Sequence, residues 1–544
     1  MDNGAMEGSL CNKINNIGYF CTERQCIDGH TDNTALTLIS GDFNCSEATY
    51  GQINDHSSCF AQVLSNLNIF KGETVVLLLP KCSMQYFVFL GTLKKQCVIA
   101  PFFHNIGYEA LADRLRDCRA SVAVTTSAGA AKIKKIKEYI PFLKYCLITD
   151  ADVHEDGCFL SLPFLMKEAP LLFDIQDTDL DTASVLHYTS GSTGRPKGVV
   201  HTHRTLEMQR HTFDEIFQLK EDDIYWCTAE AAWVTGSSYG IIAPMSCGAH
   251  QVQYTGSYNL SGWLKVLENY GITVWYTAPT ALRMMMRDAA SSGGAYKGSL
   301  KRIYSVGEPL NPEIMRWCGR FFGVDIYDTW FQTETGAVTI ANRPGLPVRQ
   351  GSMGKPVKGI NASVRDDEGN ALKWGEQGEI HLEQFSSLFV NYLNNSEEYS
   401  RKFINGLYRT GDKAYVDSEG YFWFQGRSDD IINTGGHLVS PFEVESAILE
   451  IDGILDVAVV GLPDDMLYEK VAAFIVTGAG YSAEDLMLKV RIHTANTVSS
   501  IAAPQEIIIQ DKIPKNKSGK IMRRLLKSAY LGENAGDRST IEED

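Results

Sequence analysis

The sequence has no stretch of about 18 uninterrupted apolar residues, the length that a membrane-spanning helix requires. The best candidate, Thr74 to Gly91, is broken by Pro80, Lys81 and several polar residues. The first residues, MDNGAMEGSL, lack a basic segment followed by an apolar one, so no secretory leader is expected. The 13 cysteines include no C-x-x-C pair, and their odd number argues against a disulfide framework. The tightest pair is Cys21 and Cys26, and none follows Cys318. They read as ordinary thiols of a reducing compartment, with a metal or redox site as the alternative. Positive charge is also scarce. Lys and Arg number 50 against 66 Asp and Glu, a formal charge of −16, and that field repels nucleic acid and anionic membrane. Repeats and low-complexity segments are absent. These absences point to a cytoplasmic protein.

What is present is a globular composition, 44% hydrophobic and 21% charged, in a chain of 544 residues. That length exceeds one simple core and predicts several domains. Thr74–Leu79 (TVVLLL), Val98–Phe103 and Ser121–Thr125 read as buried strands. Helical stretches, Ser83–Lys95 and Tyr108–Asp117, lie between them. Such alternation predicts an α/β fold with mostly parallel sheets and covering helices. Further strands are expected at Thr273–Tyr276, Arg302–Ser305 and Asp325–Tyr327. From about Gly351 the texture becomes β-rich, with strands at Gly378–Leu382, Ala414–Val416 and Tyr421–Gln425. Beyond Gly426–Asp430 a small α/β unit follows, with helices at Pro441–Leu449 and Asp485–Thr494 and strands at Asp456–Val460 and Val471–Val476. The expected division is a large multi-lobed domain over 1–428, a small mobile domain over 429–531 and an acidic tail, 532–544, that reads as mobile.

Five segments carry chemistry. Tyr188–His203, YTSGSTGRPKGVVHTH, sets Gly191, Gly194 and Gly198 among the hydroxyls of Thr189, Ser190, Ser192 and Thr193, followed by Lys197. Glycines let backbone N–H groups approach an anion and the hydroxyls add donors. The spacing does not fit a Walker A loop. In Tyr327–Gly336, YDTWFQTETG, Glu334 is a hard-oxygen ligand suited to Mg²⁺ beside a phosphate. Tyr408–Asp412, YRTGD, offers an Asp for ribose hydroxyls. Gly426–Asp430 (GRSDD) precedes NTGG and PFEVE, and Ile513–Arg524 reads IPKNKSGKIMRR. Each of the last three, taken alone, is as consistent with a surface turn as with a site.

In this order and spacing the segments resemble the adenylate-forming superfamily of acyl-CoA synthetases, luciferases and peptide-synthetase adenylation domains, over nearly the whole chain. The resemblance tightens toward short AMP-forming acetyl-CoA synthetases through YWCT, WVTG, VWYTAP, SVGEPLNP and GSMGKP. It implies an acid–thiol ligase with ATP, Mg²⁺ and CoA. A carboxylate attacks the α-phosphorus of ATP, giving acyl-AMP and pyrophosphate, and CoA then takes the acyl group and releases AMP. Acetate is the implied acid, with propionate next. A branched C4 or hydroxy acid, or an adenylate-binding regulator without turnover, remains open.

The resemblance also implies residue roles. Thr189, Ser190, Gly191, Ser192, Thr193, Gly194 and Lys197 would wrap the β- and γ-phosphates. Gly307, Glu308 and Pro309, with Asp328, Thr329, Trp330 and Gln332, would form the nucleotide face. Thr333 would meet the α-phosphate and Glu334 the Mg²⁺, while Asp412 takes the ribose hydroxyls with Arg427 nearby. Lys520 would bridge the acyl oxygen and the α-phosphate, and its flanks resemble sites where a lysine acetyltransferase and a deacetylase act. Trp233, Val234, Thr235, Val306 and Phe331 would form the acyl pocket. Gly435 and Gly436 would line the CoA channel once the small domain has turned about Asp429. Three departures stand out: Phe331 where the pattern has Trp, Ala232 where it has Gly, and Leu438 where it has Arg or Lys. The Lys512–Lys527 segment, with seven basic residues and no acid, offers phosphate recognition or a solvated helix end.

A hinge must absorb a large backbone change. Asp429→Pro is therefore expected to spare acyl-AMP formation and cripple thioester formation. Separate assays of the two half-reactions check this, and equal losses in both would contradict it.

Overall fold

The computed structural model describes residues 15–154, 157–190, 196–292, 296–515 and 520–533. The sequence-predicted loop residues Gly191, Ser192, Thr193 and Gly194, and most of the acidic tail, lie outside them. Two large sheets carry the body. One runs Asn391–Tyr392, Pro196–Thr202, Ala183–Ser190, Val98–Pro101, Thr74–Leu78, Val122–Thr125, Tyr145–Ile148, Phe159–Ser161. The neighbours from Ala183–Ser190 outward to Phe159–Ser161 are parallel. These strands are continuous apolar runs because helices cover both faces. Ala183–Ser190 and Pro196–Thr202 are antiparallel neighbours.

The second sheet has nine strands, six of them parallel from Ile326–Trp330 through Arg302–Ser305, Val274–Thr277, Ile224–Cys227 and His250–Tyr254 to Thr34–Ile39. A third, antiparallel sheet is the β-rich module and includes Gly378–Leu382, Leu407–Val416 and Phe422–Arg427. A fourth joins Ile432–Thr434, Tyr468–Thr477, Ile454–Asp464 and Glu506–Ile509, with separate apolar clusters on its two faces. Helices start where the sequence caps them. Thr49 and Gln52 form a reciprocal capping box on Tyr50–Asn66, and Asn311 accepts from the Glu313 N–H ahead of Pro312–Phe322.

The predicted helices Tyr108–Asp117 and Pro441–Leu449 have the expected bounds. The strand expected at Asp325–Tyr327 instead runs Ile326–Trp330, carrying the polar Asp328 and Thr329 into the sheet. Their polarity hid it, but both are buried and hydrogen-bonded. Ala414–Val416 is the end of a ten-residue strand that contains YRTGD. Gly411 there has φ +74°, and a Cβ would meet Arg427 at 3.4 Å. The 12 described cysteines are free thiols. Among the described residues no helix is long and apolar enough to cross a membrane.

One aromatic cluster stands behind the second sheet. The fully buried Phe217 ring lies 4.5 Å from Tyr304, 5.0 Å from Tyr276, 5.6 Å from Tyr225 and 5.8 Å from Tyr239 between centroids. Phe217→Ala is expected to cost about 3–5 kcal/mol through the cavity it leaves. Denaturant unfolding of the full chain should show the large domain melting earlier, and Phe217→Leu should lose less.

Candidate active site

A cavity of about 700 Å³ opens where the second sheet, the β-rich module and the C-terminal unit meet. Its wall gathers most of the sequence-predicted residues. Thr189, Lys197, Trp233, Val234, Thr235, Val306 and Gly307–Pro309 line it, as do Asp328–Glu334, Asp412, Arg427, Asp429 and Lys520. Strand Ile326–Trp330 and the turn after it supply the central stretch.

The Asp412 carboxylate accepts from three side chains. Its Oδ2 accepts from Trp330 Nε1 at 3.0 Å and Gln332 Nε2 at 2.8 Å. Its Oδ1 accepts from Arg427 Nη1 at 2.9 Å, and this neighbour raises the arginine's pKa further. Gln332 is fixed in turn by the Thr410 carbonyl and the Tyr408 hydroxyl, each at 2.9 Å. Asp328 is buried, its Oδ1 accepting from the Ser305 hydroxyl at 2.6 Å. Burial pushes its carboxyl up to about 7. Thr329 is held by the Ser305 carbonyl and the Tyr276 hydroxyl at 2.7 Å each. Phe331 meets Tyr239 edge to face at 5.5 Å. The Tyr239 hydroxyl is pinned by Thr212 and the Val338 N–H, both at 2.7 Å.

Groups outside the sequence-predicted set also shape the site. Glu334 Oε1 accepts from the Tyr392 hydroxyl at 2.8 Å. Lys197 Nζ is 2.5 Å from Glu398 and lies over the Tyr392 ring. Lys81, Tyr392 and Lys402 join the lining. The buried His201 donates from Nε2 to the Thr333 carbonyl at 2.7 Å. Burial lowers its pKa. Tyr392, Glu398 and Lys402 carry no motif signal: Tyr392 ends the short strand Asn391–Tyr392, Glu398 is on the helix Ser396–Arg401 and Lys402 is its C-cap. His201 falls inside the first motif, but only the fold shows what it faces.

Some of the residues singled out in the sequence lie away from this cavity wall. Gly435 and Gly436, with φ of +60° and +83°, turn the hairpin between Ile432–Thr434 and His437–Val439, apart from the cavity wall. Leu438 on that hairpin is 60% exposed. Ala232 does not line the cavity. Much of the Lys512–Lys527 island is consumed internally. Lys515 pairs with Asp456 at 2.5 Å, Arg523 with Glu445 at 2.6 Å and Lys527 with Glu469 at 3.7 Å. Arg409 likewise pairs with Glu379 at 2.7 Å.

Residues 23–393 match the family model for AMP-binding enzymes and residues 443–520 match the model for the AMP-binding enzyme C-terminal domain. The chain belongs to the AMP-binding enzyme family. Within this adenylate-forming family it is 40% identical to the acetyl-coenzyme A synthetase of Bacillus subtilis, over 95% of this chain and 92% of that one. It is 33% identical to the acetyl-coenzyme A synthetase of Rubrobacter xylanophilus, over 97% and 86%. Among solved structures it matches the anthranilate CoA ligase AuaEII in complex with anthranoyl-AMP, with a TM-score of 0.87 and 29% identity over 94% and 97% of the chains. Its reaction class is that of an AMP-forming acid–thiol ligase.

Asp328 yields a pH test within this AMP-binding fold. Its folded pKa lies above the unfolded value of about 3.9. The folded state therefore holds the proton more tightly, and stability is lost as pH rises from about 4 to 7. Asp328→Asn, which still accepts from Ser305, is expected to raise the melting temperature relative to wild type at pH 8 and much less at pH 5. A gain independent of pH would contradict this.

Proposed function

We propose that the chain activates a short carboxylic acid, acetate first with propionate tolerated, and transfers it to CoA through an acyl-adenylate. The observation that carries this reading is the convergence of Thr333, Glu334, Asp412, Arg427 and Lys520 on one cavity. The first half-reaction brings a carboxylate anion to a polyphosphate anion, so donors and cations must sit where charge develops. Lys520 supplies the cation to the acyl oxygen and the α-phosphate. Thr333 donates to the α-phosphate, and Asp412 accepts from the ribose hydroxyls while Arg427 balances its charge. Thr189 and Lys197 take the outer phosphates, which replace Glu398 on Lys197.

Glu334 suits Mg²⁺, because one carboxylate plus substrate phosphates is the usual way that ion is held. Tyr392 occupies Oε1 and orients the group. Magnesium supplies charge neutralisation to the phosphates.

Trp233, Val234, Thr235 and Val306 enclose the acyl group and Phe331 closes its floor. In the second half-reaction the small domain turns about Asp429 and brings Gly435 and Gly436 to the CoA path. Asp429 lies in a short turn between Ser428, whose N–H donates to the Gly411 carbonyl, and Asp430, whose N–H donates to the Arg427 carbonyl. Acetylation of Lys520 would remove the first-step cation and leave thioester formation from supplied acyl-AMP. A cytoplasmic location accords with CoA and ATP as co-substrates.

Release of AMP and pyrophosphate, measured with ATP and CoA across C2 to C6 acids, tests the reading. Acetate should lead, with propionate second. A branched C4 or hydroxy acid leading would move the substrate, and no turnover with any acid would favour an adenylate-binding regulator. Phe331→Trp should narrow the range, since one methylene discriminates by about 1–3 kcal/mol. An unchanged propionate-to-acetate ratio would remove Phe331 from the pocket floor.

A further inference from the structure

The backbone of Thr333–Gly336 is held carbonyl by carbonyl. The Thr333 carbonyl accepts from His201 Nε2 at 2.7 Å. The Glu334 carbonyl accepts from the Phe389 N–H at 2.8 Å. The Thr335 carbonyl accepts from the Ser387 hydroxyl at 2.7 Å. The Gly336 carbonyl accepts from Gln209 Nε2 at 2.9 Å and the Ser238 hydroxyl at 3.1 Å. Four consecutive carbonyls thus face donors from four separate parts of the chain, and Thr333 and Glu334 both line the cavity. The packing is close. Gly336 has φ +66°, and a Cβ there would lie 2.6 Å from the Ser387 carbonyl and 2.8 Å from the His201 ring.

We propose that His201 is a positioning residue for acyl-AMP formation, its Nε2–H fixing the peptide that aims Thr333 at the α-phosphate and Glu334 at the phosphate-bound cation. The inference rests on the roles of Thr333 and Glu334 proposed above. A carbonyl oxygen only accepts, so the ring proton sits on Nε2. That N–H serves the residue next to Glu334. The group touches neither substrate nor metal. Its contribution is to keep two reactive side chains within the tolerance that in-line displacement requires.

The test compares His201→Met, which removes the donor, with His201→Gln, whose amide N–H reaches the Nε2 position. Pyrophosphate formation with ATP and acetate is followed in each full-length variant. In His201→Met its kcat should fall about 10- to 100-fold, the range expected when support of a reactive group is lost. The KM for ATP should move by no more than about threefold, as for an interaction expressed in the transition state. Thioester formation from supplied acetyl-AMP should be unchanged, and His201→Gln should recover most of the loss. Equal losses in Met and Gln variants, a loss confined to KM, or equal losses in both half-reactions would overturn the proposal. If His201→Met does not fold, the wild-type ring decides. Its ¹H–¹⁵N spectrum, assigned by the signal missing in His201→Gln, should show Nε2 protonated, and an Nδ1–H tautomer would overturn the proposal. Wild type that is inactive with every acid defeats the functional reading, whereas active wild type with an indifferent His201→Met defeats this inference alone.

Discussion

The ion pair between Asp412 and Arg427 is the constraint on which the rest of the site depends. It joins Leu407–Val416 to Phe422–Arg427 at the point where the chain leaves the β-rich module for the C-terminal unit. The same carboxylate holds Trp330 and Gln332 from the large parallel sheet. Two sheets are therefore registered on one charged group. Removing Arg427 would leave the buried Asp412 carboxylate without its counter-charge, which is far costlier than never having built the pair. In the proposed reading the same group addresses the ribose, so the contact that aligns the layers also sets where the nucleotide sits.

An acidic protein that handles three anionic substrates must ration its cations. The structure shows where they are spent. Lys197, Arg409, Lys515, Arg523 and Lys527 are each paired with a carboxylate. Lys520 and Lys402 line the cavity. The basic island near the C-terminus thus acts more as cement for the small unit than as an electrostatic funnel. Arg523 is the clearest case, since it ties Glu445 of helix Pro441–Leu449 to Asp430 beside the proposed hinge. Opposite charge close to the reacting centre, rather than the net field, is what the proposed first step requires.

Much of the fold was legible because apolar runs such as TVVLLL act locally. Polar strands were not legible. Asp328 and Thr329 look like a turn until Ser305 and Tyr276 are placed beside them. The site motifs were readable as a set, because glycine, hydroxyl and carboxylate residues recur in one order. Partners that act only through space were not. Glu398 is 201 residues from Lys197, and His201 is 132 residues from Thr333. No local pattern encodes such pairings. The Gly435–Gly436 turn could be read as a turn but not placed, since its distance from the cavity is a property of domain arrangement.

The central claim is that Lys520, carried by the C-terminal unit, completes the adenylating site on the large domain. Isotope exchange between pyrophosphate and ATP, driven by acetate without CoA, tests it directly, because only the first half-reaction contributes. Wild type should exchange label, and Lys520→Ala should lose exchange while still forming acetyl-CoA from supplied acetyl-AMP. Exchange retained in Lys520→Ala at the wild-type rate would contradict the account.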